Sequence, residues 1–411
     1  MLQENLKHII RFEHEKLVFD MQVEEERKLY EALEAYHGAY TPFFKLIRNG
    51  VQFCEYVGVL QVGSTIIEVL PKADKSKDAT VWQNIMINMI RSVWGFSVKE
   101  SGSSNLKLKH NSVLDLYFEL FVFELESLIH SGLIKKYIRQ EKNAMALKGK
   151  LSFTKHIQQN IIHKERFYIE TTAYTVNHKL HQIIYAALVL IHKLNRNAIL
   201  ASQIGNLLLN FPEQECIKIN SRTFDTIPYD RKSQSYKTII DIAELILLNY
   251  HPDISKGRRQ ILALMFDMNA LWEQFVLRVL RKSLKDYNVS GQITKRFWKG
   301  SSLSSNMRPD IVLHGDKITM VIDTKWKNLN GKSPSPDDLR QMFVYHEYFE
   351  ANKVVLLYPG EGSLIEGQFY HKDQSGFDNK HCHVLQIPAD KDFGVWKNSI
   401  VENVVSLLIY L

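Results

Sequence analysis

The sequence predicts a multidomain α+β protein, because the pattern of apolar residues changes twice along its 411 residues. Short runs of β-branched and aromatic residues dominate 1–110, helical spacing dominates 111–255, and both patterns occur in 256–411. A chain of this length accommodates two or three hydrophobic cores. We therefore expect a β-rich N-terminal domain, a helical middle region and a C-terminal α/β domain with these boundaries.

Composition and charge favour a cytoplasmic protein with an anionic partner. The formal net charge of +7 points first to nucleic acid, although a basic enzyme without such a partner has the same composition. Three cysteines, an odd number spread far apart, argue against a disulfide framework and for a reducing compartment. No apolar run approaches the roughly 20 residues of a spanning helix, and no apolar signal core is present at the N-terminus. We expect a soluble protein that does not enter a membrane.

Turn residues and apolar spacing divide the first 250 residues. Segment 51–72 has short apolar runs broken by two glycines and closed by a proline, which is typical of a small barrel or sandwich. Residues 116–138 carry apolar side chains at helical spacing, with Gly132 near a predicted helix end. The same spacing runs through 177–194, where Asn177 is the predicted N-cap. The middle region is therefore predicted to be helical.

The last 150 residues predict helix, three strands, helix and strand. An amphipathic helix is expected over 266–286, where large apolar residues share one face. Strands are predicted near 290–298, 310–313 and 318–325. A second helix should start at Ser335 or Asp337, and the apolar run 353–359 has the character of a strand inside a sheet.

The segment RPDIVLHGDKITMVIDTKWK, residues 308–327, places charged side chains at the end of an apolar strand. If Gly315 and Asp316 form a two-residue turn, the segment folds as a β-hairpin. Three residues of its second strand then share one face: Val321, Asp323 and Lys325. Asp310 lies on that face, diagonal to Asp323, at a backbone distance of roughly 7–8 Å. Two carboxylates at that separation can share one cation.

This geometry suits metal-assisted hydrolysis of a phosphodiester. Mg²⁺ prefers oxygen ligands, which Asp310, Asp323 and the backbone carbonyl of Thr324 would supply. Lys325 would position water or neutralise the charge of the pentavalent phosphate. The alternative is a solvated salt bridge between Lys325 and Asp323 at the end of a strand.

Two further positions extend the candidate site. Gln341 and Tyr345 are spaced i and i+4 on the second predicted helix, with Arg340 beside them, so they could contact DNA phosphate or the lysine. A plain polar helix face is the alternative. Glu273 flanks the apolar stripe of the first helix, where it either reaches the metal through water or is a surface glutamate.

Together these residues resemble the PD-(D/E)XK nuclease superfamily. The matching positions are Glu273, Asp310 after Pro309, Asp323, Thr324 and Lys325, and Gln341 with Tyr345 is similar to a motif of RecB-like branches. The predicted order of elements also resembles the superfamily core. The resemblance implies a Mg²⁺-dependent nuclease, with Mn²⁺ as an alternative ion. It assigns catalytic roles to Asp310, Asp323, Lys325, Glu273, Gln341 and Tyr345.

Segments in all three regions resemble the McrC family more closely. They are 58–75, 131–138, 146–153, 177–180, 268–276 and 321–327. Lys148 departs from the pattern, because it stands where arginine is expected.

The McrC resemblance implies the cutting subunit of a complex that restricts modified, methylcytosine-type foreign DNA. Its partner would be a McrB-like AAA+ GTPase hexamer, whose nucleotide hydrolysis it stimulates and whose pore accepts its N-terminal region. The chain has no G-x-x-x-x-G-K-[ST] loop, so the motor is expected in trans. Two alternatives remain open: a standalone RecB-like repair nuclease and a non-catalytic activator of an AAA+ motor.

Overall fold

The chain divides into two compact units. The computed structural model describes residues 7–37, 41–72, 78–94, 113–251, 261–301, 303–315, 318–373 and 375–409. One unit joins 1–109 to 265–411, and the other comprises 110–264. The N-terminal and C-terminal segments thus belong to one unit, whereas the sequence suggested a separate domain for each.

Strands and two helices make up the N-terminal segment. They are β1 (Lys7–Phe12), β2 (Lys16–Val18), α1 (Glu24–His37), β3 (Phe44–Ile47), β4 (Gly50–Phe53), β5 (Tyr56–Val62), β6 (Thr65–Leu70) and α2 (Ala79–Trp94). β6 pairs in parallel with β1 and antiparallel with β5, while β4 lies between β2 and β3. The strands predicted over 51–72 are present. Helices α1 and α2 were not foreseen.

The second unit combines helices with a small sheet. Its elements are α3 (Val113–Ser131), β7 (Lys136–Ala144), β8 (Lys150–Leu151), α4 (Phe153–Asn160), β9 (Phe167–Thr175), α5 (Lys179–Leu194), α6 (Ala198–Asn210), α7 (Ser221–Asp225), α8 (Lys237–Leu248), β10 (Tyr250–His251) and β11 (Ile261–Asp267), which crosses the unit boundary. Helices α3, α5, α6 and α8 pack around the core. Strand β9 pairs antiparallel with β7 and β8.

The predicted helical middle region is therefore confirmed for α3 and α5–α8 but does not account for the sheet of β7, β8 and β9. Helix α3 ends at Ser131, and Gly132, at φ +87°, turns the chain out of the helix. Farther on, the apolar residues Tyr137 and Ile138 belong to β7. In the segment 146–153, Gly149 has φ +107°, and a Cβ there would lie 2.3 Å from the carbonyl oxygen of Glu170. Only glycine allows β9 to pass so close. Helix α5 begins after His178, one residue later than predicted.

The C-terminal segment is built on a six-stranded mixed sheet. Its elements are α9 (Met268–Ser283), β12 (Asn288–Gly291), β13 (Lys295–Lys299), β14 (Ser304–Met307), β15 (Ile311–His314), β16 (Thr319–Thr324), α10 (Pro336–Tyr348), β17 (Lys353–Pro359), β18 (Ile365–Tyr370), β19 (Phe377–Ile387) and α11 (Phe393–Ile409). The strand order is β12-β15-β16-β17-β19-β18, with β16, β17 and β19 parallel. β13 and β14 form a separate hairpin between β12 and β15.

Several local predictions in this segment are confirmed. The predicted apolar face of α9 is buried, including Trp272 and Phe275. Ser335 caps α10 by accepting a hydrogen bond from the Asp338 amide. β17 coincides with the predicted apolar run 353–359 and lies inside the sheet. Within the described ranges, no helix has both the length and the apolar character needed to cross a membrane.

Four tryptophans connect the two ends of the chain within this unit. The Trp326 ring, just beyond β16, lies 5.5 Å from Trp272 of α9 and 6.3 Å from Trp82 of α2, measured between ring centroids. Trp272 in turn stacks on Trp396 of α11 at 5.4 Å. All four rings are buried. The aromatic cluster holds the end of β16 in place.

Candidate active site

The candidate site lies where β15 begins and β16 ends. The antiparallel register pairs Ile311 with Ile322 and His314 with Thr319, and the Gly315 amide donates to the Ile318 carbonyl at 2.8 Å. The hairpin turn therefore lies one residue later than the predicted Gly315-Asp316 turn, whose Asp316 lies outside the described residues. Continuing the observed register by one residue places Asp310 directly opposite Asp323 rather than diagonal to it. The observed strand register differs from the predicted one by two residues. Every side chain therefore stays on its predicted face, because side chains alternate along a strand.

Asp310 is held by the backbone and side chain of Thr324. Its Oδ2 accepts hydrogen bonds from the Thr324 amide at 2.7 Å and from the Thr324 hydroxyl at 2.9 Å. The Asp310 carbonyl also accepts a bond from the Gln292 amide at 3.0 Å. Thr324 was considered only for its carbonyl oxygen. The structure shows that its amide and hydroxyl orient the first acid of the site.

Asp323 is almost completely buried and forms an ion pair with Lys325. Its side chain is 2% exposed, and the Lys325 Nζ lies 2.7 Å from its Oδ2. Lys325 is 26% exposed and lies 3.8 Å from Asp338 Oδ1. The solvated salt bridge weighed as an alternative does not describe this pair, because one partner is withdrawn from water.

Helix α10 brings two predicted residues to this ion pair. Gln341 Nε2 donates to the Tyr345 hydroxyl at 2.7 Å and makes a longer contact of 3.4 Å with Asp323 Oδ1. Lys325 Nζ lies 3.5 Å from Gln341 Oε1. Arg340 turns away and pairs with Asp337 on the surface. Gln341 and Tyr345 therefore share one helix face, as their spacing predicted, and that face lies at the Asp323–Lys325 pair, whereas Arg340 points elsewhere.

Glu273 joins the acids from α9. Its Oε1 accepts a 2.7 Å hydrogen bond from Gln292 Nε2, and Gln292 follows β12. Burial, reinforced by the charge of Asp310, raises the pKa of Glu273 to about 7. A surface glutamate would show neither this hydrogen bond nor this raised pKa. The structure thus brings Glu273 into the neighbourhood of both aspartates.

The electrostatics of the site are those of carboxylates crowded in a poorly hydrated space. Burial and the charge of Asp310 raise the pKa of Asp323 to about 6, and burial also raises the pKa of Asp310. Burial by itself would lower the pKa of Lys325, but the charges of Asp323 and its acidic neighbours outweigh it and raise the pKa. Lys325 therefore stays cationic at neutral pH, and the acids hold protons more readily than usual.

Two residues that the sequence did not single out support this strand end. Glu13 directly follows β1 and is buried. Its Oε1 accepts hydrogen bonds from Trp326 Nε1 at 2.8 Å and from the Lys72 amide at 2.7 Å. Asp338 accepts a 2.7 Å bond from Lys327 Nζ, so it holds the next lysine of the segment. The sequence shows Glu13 directly after an apolar strand. It does not show its partner, because Trp326 lies 313 residues away.

The donor set fits a hard divalent cation. Among the residues that the structure describes, no three His, Cys, Asp or Glu side chains are grouped to hold one metal ion. The available ligands are the paired oxygens of Asp310 and Asp323. Mg²⁺ takes one or two carboxylates and keeps several waters, so this pair suffices. The charge repulsion that raises the pKa of Asp323 is what a cation at this position would relieve.

The stability of the unit that holds these acids is expected to fall as the pH rises from about 4 to about 7. The folded-state pKa values of Asp323 and Glu273, about 6 and about 7, exceed their usual values of 3.8 and 4.5. The folded chain therefore binds more protons than the unfolded chain in this window. Their contribution to stability is complete below the unfolded pKa and is lost as the pH passes the folded pKa.

Thermal unfolding without divalent metal, followed across this pH range, tests the dependence. A double variant, Asp323→Asn with Glu273→Gln, should reduce this decline, whereas the exposed Asp337→Asn should keep it. Part of the decline should remain in the double variant, because burial also raises the pKa of Glu13 in this unit to about 7. Equal slopes in wild type and double variant would contradict the assignment.

The fold is that of chains found in McrB–McrC assemblies. A chain of the refined half-complex from the tetradecameric assembly of Thermococcus gammatolerans McrB AAA+ hexamers with bound McrC matches with a TM-score of 0.68 and 18% identity, over 98% of this chain and 100% of that chain. A chain of the Thermococcus gammatolerans McrBC complex matches with a TM-score of 0.50 and 18% identity, over 68% and 88%. No curated protein matches.

Sequence comparison identifies the family. The model described as McrBC 5-methylcytosine restriction system component matches residues 51–359, well over half of the chain. This protein belongs to that family, and its resemblance to the McrC family is confirmed. The matched range includes the acids at β15 and β16 together with Gln341 and Tyr345.

Proposed function

We propose that this chain is a metal-dependent DNA endonuclease and the cutting subunit of a McrBC-like restriction complex. The observation that carries the proposal is the pair of carboxylates, Asp310 and Asp323, opposite each other across β15 and β16 with Lys325 bound to the second. Family membership supports the restriction role. The α9, β12, β15, β16, α10, β17 order supports a PD-(D/E)XK core.

Each residue of the cluster has a task in phosphodiester hydrolysis. Asp310 and Asp323 would hold Mg²⁺, or Mn²⁺, with the Thr324 carbonyl as a further ligand and Glu273 acting through water. The ion, when bound, supplies positive charge to the scissile phosphate and activates water for attack. Lys325, kept protonated by its acidic neighbours, would neutralise the negative charge that develops on the phosphate.

Gln341 and Tyr345 complete the site from α10. Their mutual 2.7 Å hydrogen bond fixes both side chains beside Asp323. Gln341 would thereby hold Lys325 and Asp323 in one orientation, and the Tyr345 hydroxyl limits the movement of Gln341. Such positioning by neighbouring groups is what keeps catalytic side chains within reach of a phosphate.

The partner and substrate follow from the family. We propose a McrB-like AAA+ GTPase hexamer as the motor, stimulated by this subunit, and modified foreign DNA in the cytoplasm as the substrate. The solved assembly of McrB AAA+ hexamers with bound McrC, a chain of which shares this fold, supports this arrangement.

Plasmid cleavage tests the proposal. Purified chain is incubated with methylated plasmid in Mg²⁺ or in EDTA, with and without a McrB-type partner and GTP. We expect double-strand cutting only with Mg²⁺, partner and GTP together. Cutting by the chain alone would support a standalone nuclease instead. Stimulated GTP hydrolysis without any cutting would identify a non-catalytic activator and overturn the nuclease proposal.

A further inference from the structure

The hairpin of β13 and β14 grows directly out of the acid cluster. Gln292, at its start, binds Glu273 through its side chain and Asp310 through its backbone amide. Two residues, Arg308 and Pro309, separate the end of β14 at Met307 from Asp310. Both roots of the hairpin are thus attached to candidate catalytic residues. Whatever the hairpin binds is held beside the scissile position.

The hairpin is strongly basic and carries no acid. Residues 291–309 contain four cations, Lys295, Arg296, Lys299 and Arg308, and no aspartate or glutamate. The facing strand β14 presents Ser304, Ser305 and Asn306, which can donate hydrogen bonds to phosphate oxygens. Unbroken positive charge with hydroxyl and amide donors matches a nucleic-acid backbone.

Large aromatic side chains are exposed on this basic hairpin. Every residue of β13 is exposed, with Trp298 at 55% and Phe297 at 46%. Trp298 pairs with the small Ser305, and its indole lies over Gly300, so that about half of its surface stays exposed. An aromatic ring between cations suits a groove of nucleic acid, where the ring contacts base edges while its neighbours bind phosphate.

The other contacts of the hairpin anchor it to α10. Lys295 Nζ donates to the Tyr348 carbonyl at 2.7 Å and lies 4.6 Å from the centre of the Phe349 ring. Phe297 contacts Tyr348 edge to face at 5.4 Å. Lys295 and Phe297 therefore serve as anchors. Arg296, Trp298 and Lys299 remain for a ligand.

We propose that this hairpin is a DNA-binding arm that lies in a groove of duplex DNA. Arg296 and Lys299 bind backbone phosphates, and the Trp298 indole packs against base edges in the groove. A two-stranded ribbon fits the major groove, which is about 12 Å wide. The five residues of β13 span about 17 Å, enough to cross it. The inference rests on the proposed DNA substrate, and it assigns the contact that presents the strand to the acids.

Binding measured without metal separates this proposal from catalysis. A fluorescein-labelled duplex of about 30 base pairs is titrated with the full-length chain in EDTA at several NaCl concentrations. Trp298→Ala is expected to weaken binding about tenfold, and Trp298→Phe to restore most of it. Changing both Arg296 and Lys299 to glutamine should reduce the salt slope by about two. Tyr370→Ala is the matched control, an aromatic 66% exposed on β18 at the opposite edge of the sheet.

Each outcome decides between the two proposals. Wild-type affinity and salt slope in the hairpin variants would overturn the arm and leave the nuclease proposal to the plasmid assay. Tighter binding of the single strand than of the duplex would overturn the groove assignment, and absence of binding by wild type would overturn the arm. Loss of binding in the variants, with no plasmid cleavage under any condition, would support the arm and reject the nuclease.

Discussion

Replacing Asp323 with asparagine is expected to lower metal-dependent DNA cleavage by more than about a hundredfold, in the range seen when one group that stabilises transition-state charge is removed. The substitution keeps the size of the side chain but removes its negative charge. Asp323 is the buried partner of Lys325 and lies opposite Asp310, so its loss leaves one carboxylate for the metal and frees the ammonium of its ion pair.

Initial rates of plasmid nicking in the reconstituted complex measure this effect. The matched control is Asp337→Asn on α10, where an exposed aspartate pairs with Arg340, and it should cut as wild type does. Stimulation of GTP hydrolysis should persist in both variants, because the change is confined to the acid cluster. If Asp323→Asn cleaves DNA at the wild-type rate, Asp323 has no catalytic role.

Replacing Trp326 with alanine is expected to destabilise its unit by about 3–5 kcal/mol, the cost of deleting a large buried ring. The indole is 8% exposed and contacts Trp272 and Trp82, and its N–H is bound by Glu13. Trp326→Phe should lose less, because it keeps part of the ring contact while leaving the buried Glu13 carboxylate with one donor fewer.

Urea unfolding followed by far-UV circular dichroism measures these losses without depending on tryptophan fluorescence. Trp298→Ala provides the matched control, since that ring is 55% exposed and its removal should change the free energy of unfolding by less than about 0.5 kcal/mol. Equal effects of the two alanine substitutions would show that the aromatic cluster does not hold the end of β16.

The elements nearest the site could be predicted because their signals are local. The apolar stripe of α9, the Ser335 cap of α10 and the apolar run of β17 each depend on residues within a few positions of one another. The shared face of Asp323 and Lys325 is likewise a consequence of strand alternation. Gln341 and Tyr345 lie on the same side of α10 because residues four positions apart share one face of a helix.

Predictions failed where several conformations satisfy the same local pattern. The strand β7 follows α3 with apolar residues that also fit a helix, and its pairing with β9 decided the outcome. The turn after β15 lies one residue later than predicted, because glycine followed by aspartate suits a tight turn whether or not the strands use it. The resulting shift in strand register did not move the acids to another face, since the register changed by an even number of residues.

The sequence by itself determined the family, the chemical types at the site and the face of β16 that carries them, because motifs and alternation are written in consecutive residues. Only the tertiary structure decided that Asp310 lies opposite Asp323, that Thr324 orients Asp310, and that Glu13 holds Trp326. It also placed the N-terminal segment in the same unit as the acids. These arrangements depend on strand register and on contacts between residues far apart in the chain, where burial and hydrogen bonding of the whole unit outweigh local preference.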